Sequence, residues 1–239
     1  DQLRSVIELF PSTLWAARAR VVVGVLLIER DPGEAAKLLR AAQPEMPMID
    51  DYVRLWIAES LSKQNEPIQA AELLETIPKI VPDSNLIAKA AYRTGEAWYS
   101  ANVCFRAVEW LERAVTLADK EPAAPMALSH QADCHIRENR LPEGRAALKQ
   151  LWLRYPQSPE AREAKTRLDA ALGGESWLPT ADDYWIRAQA FLGLSMQAEA
   201  VEELRRFLSL GPGHARRYEA RLKLGVAYVR LKQYDQARE

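Results

Sequence analysis

EARLKLGVAYVRLKQYDQARE, residues 219–239, is the stretch on which the fold turns. Leu224 and Gly225 are followed three residues later by Tyr228 and then, nine residues on, by Ala237. The order reads as a helix, a short turn, and a second helix that opens with a small residue. Gly225 and Ala237 leave room for the two helices to approach. Leu224 and Tyr228 fill the space between them.

The same pattern recurs upstream. Taking the small residue that opens each second helix as an anchor gives Ala35, Ala70, Ala107, Gly144, Ala200 and Ala237. Their spacings are 35, 37, 37, 56 and 37 residues. Four of the five lie near 34, the period of the tetratricopeptide repeat (TPR), which the hairpin resembles. The expected fold is therefore all-α: a right-handed alpha-solenoid of TPR-like helical hairpins. It should hold about six hairpins, one unpaired helix and an irregular linker. A lone hairpin cannot bury its apolar face, so neighbours must stack.

Punctuation along the chain places the elements. Gln2 to Phe10 reads as a second helix whose partner is missing, with Pro11 ending it and Ser12 as N-cap of the next. Repeat one spans Thr13 to Ala42 around an Asp31-Pro32-Gly33 turn. Repeat two has a first helix at Asp50 to Lys63. Its second helix runs from Pro67, suited to a first turn, to about Ile80, and Val81 to Ser84 ends the repeat. Repeat three, AAYRTGEAWYS then FRAVEWLERAV, puts Gly95, Trp98, Ala107, Leu111 and Ala114 at packing positions. Repeat four runs from Ala123 to Arg154, where Pro156 stops the helix.

Pro159 to Leu172 reads as a single helix with Ala161, Ala164, Leu168, Ala171 and Leu172 on one face, terminated by Gly173-Gly174. The irregular GGESWLPTADD follows, with Trp177 and Leu178 expected to tuck it against the stack. Together they account for the long gap. The expected organisation is a first sub-stack at 1–172, a linker at 173–181 that serves as hinge or kink, and a second sub-stack at 182–239.

Composition bounds the function. Hydrophobic residues at 48% and charged residues at 27% fit a water-soluble globular chain, and a net charge of −1 supplies no basic field for nucleic acid. No run of about 18 apolar residues marks a membrane span, and no polybasic patch marks a membrane surface. The chain starts without Met and stops inside a second helix, so it reads as a piece of a longer protein. Cys104 and Cys134 fall in different repeats and read as two small buried thiols; a bridge between neighbouring helices is the alternative, without support in the sequence.

Catalytic and cofactor motifs are missing, and no cofactor is expected. His130, Cys134 and His135 form the one metal-like cluster, with His130 and Cys134 on one helical face, but a closed site needs four ligands and no others are near. Asp182-Asp183 reads as an N-cap region and Glu202-Glu203 as a solvated face. Trp56, Trp98, Trp110 and Trp152 read as core and as packing between repeats.

The better site is the inner wall formed by the first helix of each hairpin. Counting back from each anchor puts Glu59, Glu96, Asp133 and Gln189 in one row. Leu55, Tyr92, Ser129, Trp185 and Leu222 form the next, with Tyr52, Tyr99 and Ile136 beside them. The expected partner-binding set is Tyr52, Leu55, Glu59, Tyr92, Glu96, Tyr99, Asp133, Trp185 and Gln189. An acidic row flanked by aromatics suits a protein partner or a glycan strand. The competing reading pairs these acids with Lys63, Lys89, Arg93 or Arg137 on the same faces.

Four phrases carry a further resemblance: DYVRLWIAESL at 51–61, VPDS at 81–84, AAYRTGEAWY at 90–99 and LWLRYPQSPEAREAKTRL at 151–168. Over about residues 50–239 the chain resembles the superhelical N-terminal region of bacterial soluble lytic transglycosylases. It also resembles TPR lipoproteins and Tol-Pal coordinators of the Gram-negative envelope. The resemblance implies a periplasmic protein acting on or near peptidoglycan, with a lysozyme-like catalytic domain C-terminal to the solenoid. Neither Glu59-Ser60 nor Glu175-Ser176 is followed by that family's aromatic and Gly-Leu-Met-Gln phrase, so no catalytic residue carries over.

Overall fold

Every regular element in the computed structural model is helical among the described residues, which are 2–118, 122–171 and 176–238. The chain divides into two compact units, Asp1–Cys134 and His135–Glu239. The sequence had placed its boundary at 173–181 instead, of which residues 173–175 lie outside the described set.

The first unit opens with α1 (Gln2–Leu9) and α2 (Leu14–Leu27), which pack together. Thr13, not Ser12, caps α2. Its backbone is extended and its hydroxyl accepts the Ala16 N–H at 3.2 Å; Ser12 sits one residue too early for that reach. In α3 (Pro32–Ala42) Asp31 is the cap, accepting the Glu34 N–H, and Pro32 occupies the first turn. Two short 3-10 turns, Gln43–Glu45 and Pro47–Ile49, lead into α4 (Asp50–Lys63), whose bounds the sequence predicted.

The second helix of repeat two is not continuous to Ile80. It is split into α5 (Pro67–Leu74) and α6 (Ile77–Ile80). Pro78 has no N–H to give, and its ring would strike the Leu74 carbonyl in an unbroken helix. The backbone tightens there: the Thr76 N–H bonds Leu73 and the Lys79 N–H bonds Thr76.

This break turns Glu75 towards the next repeat, α7 (Ile87–Ser100) and α8 (Cys104–Leu117). Its carboxylate accepts the indole N–H groups of Trp98 at 2.8 Å and Trp110 at 3.0 Å, and the Arg106 guanidinium at 2.8 and 2.7 Å. Arg106 also lies 4.0 Å from the Trp98 ring. The two tryptophans do pack between repeats, as expected, but around a carboxylate. Glu75→Gln keeps the shape and loses the charge that Arg106 answers. It should cost about 2 kcal/mol of stability, read as a lowered urea midpoint. An unchanged midpoint would show the cluster to be incidental.

α7 and α8 close on a glycine. A Cβ added at Gly95 would lie 2.6 Å from the Leu111 side chain, and one at Gly24 2.7 Å from Leu39. At Gly225 it would meet only the Ala237 carbonyl at 3.7 Å, an ordinary contact. Close approach thus governs repeats one and three, and the hairpin that exposes the pattern best needs it least.

The turns share a device that the sequence reading missed. Asn65, Asn102, Asn139, Ser195 and Lys232 have φ near +60°, one in each turn between paired helices after the first. Their spacings of 37, 37, 56 and 37 match those of the anchors. Asparagine tolerates this left-handed conformation better than most residues, so three of the five are legible afterwards.

Cys104, the first residue of α8, is bonded to Cys134 on α9 (Ala124–Arg137), with Cα atoms 5.0 Å apart. The expectation of two separate thiols is therefore corrected. Stacking brings the start of one second helix against the following first helix, within disulfide reach. The bridge lies within the first unit.

The second unit runs from α10 (Leu141–Arg154) through α11 (Pro159–Ala171), which packs along α10. Ala161, Ala164 and Leu168 are buried as predicted and Ala171 is half-buried; Leu172 and the Gly173-Gly174 stop lie outside the described residues. Residues 176–180 are irregular, so the long gap is one added helix plus a connection. Trp177 docks edge-on to Trp152 at 5.1 Å, and its backbone N–H donates to the Asp169 carboxylate at 2.7 Å. That bond, followed by Lys165, holds the Asp169 carboxyl below its ordinary range. Leu178 does not tuck in; it is 79% exposed.

A Thr180–Asp183 capping box starts α12 (Ala181–Gly193), which pairs with α13 (Gln197–Leu210). α14 (Arg217–Arg230) and α15 (Tyr234–Arg238) complete the unit. Trp185, Ala188, Leu204, Phe207 and Ala220 form the core joining α12, α13 and α14. Glu202 is solvent-facing as predicted, but Glu203 is buried against Arg187.

Candidate functional site: a first-helix cleft in the N-terminal unit

Helices α2, α4 and α7, the first helices of three successive hairpins, share a cleft of about 440 Å³. Ile28 and Glu29 line it from just past the end of α2. Leu55, Ala58, Glu59, Ser62 and Lys63 line it from α4, and Arg93, Glu96 and Ser100 from α7. Of the expected residues the structure thus brings Leu55, Glu59 and Glu96 together. Leu55 is 1% exposed, so it is floor and core at once.

The acids do not stand free. Glu29 pairs with Lys63 at 2.8 Å, and Glu59 with Lys89 at 3.6 Å and Arg93 at 3.9 Å. The Glu96 carboxylate meets the His130 Nδ1 at 2.6 Å. Glu29–Lys63 and Glu96–His130 each span 34 residues, and so does the hydrogen bond from the Tyr99 hydroxyl to Asp133 at 3.1 Å. The wall is an inter-repeat ladder in which an acid on one hairpin meets a base on the next. The competing reading, in which the acids are paired, holds for Glu59 with Lys89 and Arg93; Glu96 is half-buried and paired as well, but with His130.

The remaining predicted residues divide. Tyr99 stacks on His130 with centroids 3.9 Å apart, beside the ladder. Tyr52 is exposed and tilts against Trp56 at 5.8 Å; Tyr92 is half-buried beside Arg93. Ser129 is buried. Trp185 and Gln189 belong to the second unit. Trp185 is core, packed on Phe207 at 5.4 Å, and Gln189 is half-buried. Leu55 and Trp185, expected on the binding wall, are thus part of the core. A first helix is covered on two sides, by its own partner and by the next hairpin, so more of its circumference is buried than the roughly 100° stripe of a surface helix.

Among the described residues no group of three or more His, Cys, Asp or Glu side chains is placed to hold a metal ion. Cys134 is committed to its disulfide and His130 to Glu96. No helix is long and apolar enough to cross a membrane, again among the described residues.

Comparison with known proteins settles the repeat type. One tetratricopeptide-repeat model matches residues 26–92, and a second matches residues 126–158 and 219–239. The chain is a tetratricopeptide-repeat protein. Its TPR hairpins superpose on a tetratricopeptide-repeat protein from Parabacteroides merdae with TM-score 0.57 and 15% identity, covering 94% of this chain and 89% of the other. They also superpose on YrrB, described as a TPR protein with an unusual peptide-binding site, with TM-score 0.50 and 15% identity over 98% of each chain. Among curated proteins none matches. At such identities the likeness establishes the TPR fold, and what this chain binds has to come from its own surface.

Proposed function

We propose that the N-terminal unit is a protein-binding scaffold whose first-helix cleft holds an extended segment of a protein partner. The observation that carries this reading is the cleft shared by α2, α4 and α7. Three hairpins contribute to it, so it has a direction along the stack and suits a chain more than a small molecule. Its apolar floor at Leu55 and Ala58 can take side chains. Ser62, Ser100 and the ladder charges can meet main-chain amides. The protein partners expected of TPR hairpins support the same reading.

The test fills the cleft without touching the core. Ser62 is exposed on its wall. Ser62→Trp should weaken a peptide selected on the wild-type protein by tenfold or more. Stability should change by less than about 0.5 kcal/mol. Full affinity in the variant would move the site elsewhere.

A second reading makes the chain the non-catalytic scaffold of a periplasmic lytic transglycosylase whose cutting domain lies outside residues 1–239, with a peptidoglycan strand as ligand. The phrases at 51–61 and 151–168 support it. So does the Cys104–Cys134 bridge, because disulfides persist in oxidising compartments such as the periplasm. Retention on purified sacculi that Ser62→Trp abolishes is the result expected of this reading. Passage of the wild-type protein through sacculi without retention counts against it.

A further inference from the structure

We propose, on the reading of the first-helix cleft given above, that the segment it holds carries a basic side chain whose charged head meets Glu96. Glu59 and Glu96 hold the same place in successive first helices, 37 residues apart, and both line the cleft. The bases that meet them also share one place, since Arg93 and His130 each follow their acid by 34 residues. They are not equal bases. Glu59 is answered by two permanent cations, Lys89 and Arg93, and Glu29 by Lys63. Glu96 is answered by a histidine, which carries charge only when protonated. Its negative charge is therefore the least cancelled in the cleft. The lining as a whole leans the same way, with Glu29, Glu59 and Glu96 against Lys63 and Arg93.

Glu96 is also placed to receive a guest. Its bond to His130 uses Oε1, and among the described residues Oε2 makes no hydrogen bond. The side chain is 24% exposed, so it is reachable yet partly desolvated. A charge-assisted hydrogen bond made there is stronger than a neutral one. Ala97 and Ser100 lie near it in the lining, and Leu55, Ala58 and Leu74, each 1 or 2% exposed, supply apolar surface. The aliphatic stem of lysine or arginine lies along such a surface while its head stays with a counter-charge. An acidic guest would bring a second negative charge to the carboxylate that is already least answered.

The test uses the whole 239-residue chain, immobilised, and three pools of blocked heptapeptides. The pools are random except for a central arginine, citrulline or glutamate. Citrulline has the shape of arginine without its charge. The arginine pool should be retained about tenfold more strongly than the citrulline pool, as one charge-assisted contact allows, and the glutamate pool least. Glu96→Gln should bring the arginine and citrulline pools level. His130→Arg, which makes this pair like the one at Glu59, should do the same, with the circular dichroism spectrum of each variant unchanged. Glu112→Gln, on the exposed side of α8, should leave the preference intact. Equal retention of the arginine and citrulline pools overturns the proposal. So does a preference that survives Glu96→Gln or His130→Arg, or one that Glu112→Gln removes as well, since that would answer to net charge alone. Ser62→Trp keeps the two readings apart. Retention of no pool, or retention that Ser62→Trp leaves unchanged, overturns the cleft and its basic guest together. Retention that Ser62→Trp abolishes, without any arginine preference, overturns the basic guest alone.

Discussion

Arg187→Met is expected to cost about 4 kcal/mol of stability in the C-terminal unit. Arg187 reaches from α12 to α10 and α13. It donates to the Trp152 carbonyl at 2.5 Å and to Glu203 at 3.3 Å, and its guanidinium lies 4.0 Å from the Trp152 ring. Both charges are desolvated, with side chains 15 and 7% exposed. Methionine can fill the stem's volume, but it leaves Glu203 with only the half-exposed Arg206 at 3.5 Å. One oxygen of Glu203 has no hydrogen-bond partner even in the wild type. A buried carboxylate stripped of its counter-ion is among the most destabilising changes available. Removing both partners is not: Arg187→Met with Glu203→Met should recover most of the loss, to within about 1 kcal/mol of wild type. If the double variant is as unstable as the single, the arginine acts through packing on Trp152 and the ion pair is incidental.

The same pair sets a pH dependence. Burial pushes the Glu203 carboxyl above its ordinary 4.5, against the opposing pull of Arg187 and Arg206. Burial also lowers Arg187, which Glu203 opposes. The folded unit then holds the Glu203 proton more tightly than the unfolded chain does. The resulting stability is present below 4.5 and is lost as pH rises through the raised folded value. Removing Arg187 raises that value further, so the penalty of Arg187→Met should shrink as pH falls towards it. Urea midpoints of wild type and variant should converge on acidification. A penalty constant from neutral to acid pH would contradict this.

Opening the Cys104–Cys134 bridge should have an effect of similar size in the N-terminal unit. The bridge closes a segment with a sequence separation of 30 residues. In the chain-entropy account, a loop of that length restricts the unfolded state by roughly 4 kcal/mol. It also fixes α9, which carries His130 and Asp133, against the start of α8. Reduction should therefore lower the urea midpoint and speed amide exchange in α8 and α9. Cys104→Ala with Cys134→Ala should match the reduced protein, which separates the covalent constraint from thiol chemistry. Identical midpoints with and without reductant would remove the bridge from the stability of this unit.

What the sequence determined about this protein is local and periodic. The anchors Ala35, Ala70, Ala107 and Ala200, each 0% exposed, mark real helix contacts, and α4 was read to the residue. Small residues at fixed offsets and prolines in first turns act through neighbours within about one helical turn, so a single sequence displays them; Asp31-Pro32-Gly33, read as a turn, is instead the cap and first turn of α3. The Pro78 break is of that kind too, and so are the asparagines in the turns; both were legible but unread.

Tertiary structure alone decided the rest. Glu96 could be exposed or paired by its offset, and only the approach of α9 supplied His130. Leu55 and Tyr92 occupy the same repeat position, yet one is buried floor and the other is half-buried beside Arg93. Glu75 with Trp98, Trp110 and Arg106, Arg187 with the Trp152 carbonyl, and Cys104 with Cys134 are all partnerships across hairpins. Residue type fixes what such a side chain needs when water is removed. Which neighbour meets the need depends on the stacking of one repeat on the next, a long-range fact that no local spacing encodes.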